Sequence, residues 1–332
     1  LPQNEKFNVS VLELKKYIKP SLLEQYNQLQ FSKQTIPCGK SISSVPEIIW
    51  NSWLDRLAVS RIEQKTEYIE HLFEYCKNNH EDALYLLLCR NFGFKINNDA
   101  FELLGKSLSY STLKKYADNP IQIDALLFGM AGLLDELFED KYPKQLQNEF
   151  EFLKHKHQLI PIKKELWKFS KTRPVNFPTI RIAQLAGLIN KQQSLYHLIE
   201  QKPSLKNVQS FFEVEPNVYW NTHYKFDTES EESSKQFGET AFQNIVINTI
   251  VPYLFFMSKH NTNIDFVEYA LDLLSQIPAE INTKTKEFAK LGVKTQSALQ
   301  SQAQIFLLDN FCSRKACLHC NVAEFLLKSS SK

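Results

Sequence analysis

The stretch PEIIWNSWLDRLAVSRIEQKTEYIEHLFEYC, residues 46–76, decides the fold class. Trp50, Trp53, Leu54 and Leu57 recur at the i, i+3, i+4, i+7 spacing that lines up apolar side chains on one face of a helix, and Ile69, Leu72, Phe73 and Cys76 repeat it. Pro46 stands where a proline opens a helix, since the first turn has no use for the missing N–H. The spacing predicts one long helix or a kinked pair. The same period runs outward through Ala83 to Phe92, Asp99 to Leu108 and Ile121 to Phe138, punctuated by Gly93, Ser109-Tyr110-Ser111 and Asn119-Pro120. Further on, Pro178 starts a helix to about Ile189, with Ile182, Leu185, Ala186 and Ile189 on one face and Arg181 and Gln184 off it. Phe242 to Phe256 is strongly apolar with Pro252 set to bend it; Phe266, Ala270, Leu273, Leu274 and Ile277 mark another amphipathic face; Ser297 to Phe311 leads into a run of cysteines. No fixed-period repeat is visible. The expected fold is all-α, an irregular multi-helical assembly of two packed lobes. The division is expected near residues 158–176, giving an N-terminal lobe of residues 1–157 and a C-terminal lobe of residues 158–332.

Composition agrees. The 332 residues include only 8 Gly and 13 Pro against 24 Phe and 13 Tyr, which argues against a turn-rich all-β fold and against disorder. No apolar run approaches the ~20 residues that span a bilayer, and Leu1-Pro2-Gln3 lacks the charged start and apolar core of a signal. The chain reads as cytoplasmic, with no membrane partner. The net charge of +2 conceals an imbalance, because residues 151–181 carry eight Lys or Arg against two Glu, a local net of +6. Such a stretch permits an anionic partner.

Six cysteines divide into four and two. Cys76 and Cys89 fall on apolar helical faces, whereas Cys312, Cys317 and Cys320 form a C-x4-C-x2-C run and Cys38 sits far upstream in Ile36-Pro37-Cys38-Gly39-Lys40. A Cys-x2-Cys turn places two sulfurs at one point, Cys312 can join them by ending the preceding helix, and Cys38 is the natural fourth ligand. One metal centre would then join the two ends of the chain. Zinc is the simplest occupant. An iron-sulfur cluster is the rival, since the same spacing with a distant fourth Cys occurs in plant-type ferredoxins and a one-plus-three split is similar to the iron staple of some nucleases. Reduced, metal-free thiols are the plain alternative, and His319 is an awkward fourth ligand.

Two other segments stand out. Lys171-Thr172-Arg173-Pro174-Val175-Asn176-Phe177-Pro178-Thr179-Ile180-Arg181 joins cations, an amide and two prolines, and could turn guanidinium groups toward phosphate or form a rigid connection. Tyr219-Trp220-Asn221-Thr222-His223-Tyr224 gathers aromatic rings around one His; Trp220, His223 and Tyr224 could line a pocket or fill a core. Asn248 and Gln302 read as buried polar positions. There is no Walker loop, G-x-G-x-x-G, G-x-S-x-G or H-E-x-x-H, so no catalytic residue is assigned and enzymatic activity stays open.

Taken in order, Leu12-Glu13-Leu14-Lys15, Ile36-Pro37-Cys38, Trp53-Leu54-Asp55-Arg56-Leu57, Asn91-Phe92-Gly93, Ala125-Leu126-Leu127-Phe128-Gly129, Arg173-Pro174-Val175-Asn176-Phe177-Pro178 with Arg181, Tyr219-Trp220 with His223-Tyr224, and the final cysteine run resemble an uncharacterised bacterial family, domain-of-unknown-function family 2851. The resemblance covers almost the whole chain and implies no established activity. It implies that this chain is the C-terminal helical portion of a longer protein, whose N-terminal segment, with Gly-Pro-Asp-Phe and Val-Glu-Ile-His elements, is similar to the acidic core of PD-(D/E)xK nucleases. Neither element occurs here, and the chain starts with Leu. The expected function is a metal-stapled helical accessory region of a nucleic-acid-processing, nuclease-like protein, with that N-terminal domain and nucleic acid as partners. Lys163, Lys164, Lys168, Arg173, Asn176 and Arg181 would bind phosphate. The alternatives are a non-enzymatic interaction scaffold and an enzyme whose inter-lobe pocket includes His223.

Overall fold

The computed structural model describes residues 17–191, 194–261 and 265–329. The Leu12 to Lys15 motif lies outside them. The described chain is mostly helical, as expected: α1 (Pro20–Gln30), α2 (Glu47–Tyr75), α3 (His80–Phe92), α4 (Asn98–Ser107), α5 (Tyr110–Lys114), α6 (Pro120–Met130), α7 (Lys141–His157) and α8 (Pro178–Asn190). Then come α9 (Leu195–Glu200), α10 (Leu205–Phe212), α11 (Glu239–Ile245), α12 (Val251–Asn261), α13 (Asp265–Gln276), α14 (Thr283–Ala289), α15 (Ala298–Leu307) and α16 (Asn321–Ser329). Among the described residues the one sheet is a hairpin of β1 (His223–Lys225) and β2 (Thr228–Glu229), antiparallel, pairing His223 with Glu229 and Lys225 with Thr228.

The 46–76 stretch is one continuous helix. Others start where their caps dictate: the Asn79 side chain accepts from Asp82 N–H ahead of α3, and Asn119 accepts from Gln122 N–H with Pro120 at the first position of α6. The helix expected over 121–138 stops at Met130. Gly132 has φ +71°, and a Cβ there would sit 2.4 Å from the Ile162 carbonyl oxygen, so the chain turns sharply under a close-packed neighbour. Ahead of Pro252 the helix passes through a π turn at Val246–Ile250. A proline cannot serve the carbonyl four residues back, and the freed Asn248 oxygen accepts from Asn91 Nδ2 at 3.0 Å. The Asn248 side chain, half-buried rather than buried as expected, donates to Asn244 O at 3.1 Å and accepts from Lys65 Nζ at 2.9 Å. The π turn joins α11 and α12 into a run, Glu239–His260, long and apolar enough to cross a bilayer, contrary to the sequence expectation. Most of it is buried inside protein, as in a core helix.

The chain divides into two compact units, but not at residues 158–176. One unit takes residues up to Arg61 together with those from Pro278 onward; the other is Ile62–Ile277. The segment expected to be a linker is tied into the second unit by Ile162 N–H to Met130 O (2.9 Å), Trp167 Nε1–H to Ala131 O (2.8 Å) and a reciprocal pair between Asn97 and Lys168. Its lack of regular structure reflects bonding to side chains and helix ends. In the first unit, Ile36, Ile42, Trp53, Leu54, Leu57 and Phe288 share a core with Leu307, Leu308, Val322 and three cysteines. In the second, α6 is buried from Ile123 to Met130 and α8 over most of its length.

Candidate functional site

Cys38, Cys312, Cys317 and Cys320 come together in the core of the first unit, although some 270 residues separate the first from the rest. Cys38 sits in a turn that leads into the 3-10 stretch Gly39–Ser44. Cys312 ends the π turn Leu308–Cys312 that continues α15; Cys317 opens a 3-10 turn, and Cys320 precedes α16. The last three are almost wholly buried, while Cys38 is half-buried and lines a groove of about 620 Å³ with Gln25, Gln28, Lys33 and Lys40. All six cysteines are free thiols. His319 is exposed.

Burial pushes the Cys38 thiol up to about 12, with Cys320 and Cys317 adding to the effect. Burial raises Cys312 strongly, and Cys38, Cys320 and Cys317 add to it. Cys38 and Cys312, whose ionisation the neighbouring sulfurs oppose, are groups that a cation would relieve. Burial also raises Cys320, opposed by the backbone N–H groups of Ala323 and Val322 in the first turn of α16 and by the Trp53 indole. Trp53 Nε1–H is buried without a hydrogen-bond partner, and a thiolate at Cys320 would accept it. Donor type, burial and an orphaned N–H beside one sulfur all fit a thiolate-bound metal. Yet the thiols do not form a closed coordination shell: among the described residues no group of three or more His, Cys, Asp or Glu is arranged to hold an ion.

In the second unit the basic segment splits into two populations. Lys163, Lys168, Lys171 and Arg173 are exposed and form no ion pair among the described residues, whereas Lys164 pairs with Glu136 at 2.9 Å. Arg181 is turned inward, 5% exposed, giving Nη1–H to Gln184 Oε1 (2.8 Å) and Nη2–H to Asn176 Oδ1 (2.5 Å). Its guanidinium lies 4.4 Å from the Phe94 ring and 5.4 Å from Phe237, and burial pushes its pKa down to about 10. Asn176, half-buried in the turn before α8, and Arg181 therefore clasp each other, and the burial of α8 over most of its length turns the Arg181 guanidinium away from the surface. Sequence spacing had put Arg181 off the apolar face of α8; the second buried face was not legible from it. A cation that sequence reasoning missed joins the exposed set: Lys225 of β1 lies 5.0 Å from Phe169 and 5.5 Å from Phe177, both half-buried.

Trp220, His223 and Tyr224 differ in burial and in partners. Trp220 is fully buried and stacked on Phe128 at 5.3 Å. His223 stacks on Tyr219 at 4.0 Å, with Nδ1 2.9 Å from Tyr219 O and Nε2 3.5 Å from Asp140 Oδ2. Both ring nitrogens are thus occupied. Tyr224 accepts at its carbonyl from Thr179 Oγ1 (2.6 Å), which ties the hairpin to α8. The perturbed carboxyl nearby is one the sequence reading passed over: Asp124 of α6, 4% exposed, accepts from Tyr142 Oη–H at 2.8 Å, and burial pushes it up to about 7. An acid inside Ile123-Asp124-Ala125-Leu126 was the available signal. Gln302, in the first unit, accepts from Arg61 and donates to Glu280.

One family model matches the chain, over residues 1–283, and its description is protein of unknown function (DUF2851). The match ends before Cys312, so it says nothing of the C-terminal cysteines. No curated protein and no solved structure matches the chain.

Proposed function

The chain belongs to this family of unknown function, and from the residues alone we propose that it is a metal-stapled helical region that binds nucleic acid within a nucleic-acid-processing protein. The observation that carries the binding is the exposed set Lys163, Lys168, Lys171, Arg173 and Lys225, free of carboxylate partners among the described residues and set beside Phe169 and Phe177. Unpaired cations next to aromatic rings suit a phosphate backbone with its bases. The metal centre is assigned to Cys38, Cys312, Cys317 and Cys320, with zinc preferred and an iron-sulfur cluster as the alternative. Free thiols accord with a reducing, cytoplasmic setting.

Titration of labelled single- and double-stranded oligonucleotides across a salt series tests the binding. Affinity should fall linearly on a log-log salt plot, and Lys163→Gln with Lys168→Gln, Lys171→Gln and Arg173→Gln should weaken binding at least about tenfold and flatten that slope. No binding at low salt, or an unaffected variant, overturns the proposal. The inward clasp of Arg181 favours a second reading, a scaffold without a nucleic-acid partner, for which the same titration shows nothing.

A further inference from the structure

Trp50 heads the apolar stripe of α2, yet it is half-buried, whereas Trp53, Leu54 and Leu57 are at most 6% exposed. It borders a cavity of about 310 Å³ inside the first unit, between the start of α2 and the turn from α14 to α15. Two half-buried carboxamides, Asn51 and Gln300, line the same cavity with hydrogen-bonding capacity to spare. The Asn51 side chain has no partner among the described residues, and Gln300 uses only Oε1, which accepts from Gln296 N–H at 2.8 Å. Elsewhere on α15 the amides are spent within the protein, Gln302 on Arg61 and Glu280 and Gln304 on Thr295. Glu47 and Lys294, both exposed along the cavity, form no ion pair among the described residues.

We infer that this cavity is a nucleobase pocket for an amine-bearing base, adenine foremost, whether in a single strand or in a free nucleotide. An indole beside unused carboxamides suits a planar ring with a mixed edge: the ring stacks, and a carboxamide donates to adenine N7 while accepting from its N6 amine. The Glu47 carboxylate also accepts from an amine and opposes the carbonyl that uracil presents in its place. Lys294 supplies a charge for the phosphate. One Glu against one Lys leaves the cavity near neutral, so the base rather than the phosphate carries the selectivity. The volume lies at the small end of the range for small-molecule sites. The choice of a base over another planar ring rests on the nucleic-acid reading above, but the pocket shares no residue with the cations of the second unit.

Intrinsic fluorescence reads this cavity, because Trp53, Trp167 and Trp220 are at most 6% exposed and Trp50 is the one tryptophan left half-buried. The full chain is titrated with adenosine monophosphate, uridine monophosphate, glucose and a single-stranded oligoadenylate. Adenosine monophosphate should quench saturably and bind at least about tenfold more tightly than uridine monophosphate. Asn51→Leu with Gln300→Leu should weaken it at least about tenfold at an unchanged melting temperature, and Trp50→Phe should remove the signal. Quenching by the oligoadenylate alone supports the pocket with a strand as its source. Equal response to uridine monophosphate or glucose, or a double variant that binds as wild type does, overturns the base assignment. Absence of quenching by both adenine probes overturns the pocket, while leaving oligonucleotide binding by the second-unit cations to stand or fall on its own titration.

Discussion

Asp124 stores a pH dependence in one buried side chain. Burial raises its carboxyl from an ordinary 3.8 to about 7, the Tyr142 hydroxyl opposing this only in part. A group whose pKa is higher folded than unfolded stabilises the fold below its unfolded value, and that contribution is lost as pH rises through the folded value. Stability from this group should therefore be full near pH 4 and gone by about pH 8. In Asp124→Asn, which cannot ionise, denaturant melts should lose most of that slope, and at pH 8 the variant should be the more stable by on the order of a few kcal/mol; identical slopes contradict the assignment. Gly132→Ala is the opposite case. Its φ of +71° and the 2.4 Å approach to Ile162 O leave no room for a Cβ, so it should lose at least about 1 kcal/mol, measured by the same melts.

At the scale of elements, Arg181 and the cations before it make separable predictions although one motif contains them all. Arg181→Ala removes two hydrogen bonds and two ring contacts from the α8 core, and should cost about 2 to 4 kcal/mol while leaving oligonucleotide affinity per folded molecule unchanged. Neutralising Lys163, Lys168, Lys171 and Arg173 should do the reverse. Joint loss of affinity and stability in either set would refute the division. Helices were legible wherever one apolar face meets a clear cap, as at Asn79 and Asn119. α7 was missed, though Tyr142, Leu146, Phe150 and Leu153 keep the period, because its many charges mask the stripe. The early stop of α6 was hidden because Gly132 acts through a carbonyl thirty residues on, and local sequence holds no trace of it.

For the molecule as a whole, the split cysteines foretold what periodicity could not: residues before Arg61 and after Pro278 build one core. The expected boundary near 158–176 failed because a stretch rich in Pro and Lys reads as a linker, while its backbone groups are bonded to Met130, Ala131 and Asn97. If a metal holds the four cysteines, chelation should strip hydrogen-exchange protection from α1, α15 and α16 and leave α6, α8 and α12 protected. Protection lost equally in both units would speak against a local staple. The most direct test is metal analysis with an absorption spectrum on anaerobically purified wild type and Cys38→Ser. About one zinc per chain, or iron with sulfide and a visible band, falling well below that in the variant, is the predicted result. Wild type without metal, or a variant with an undiminished content, would contradict it.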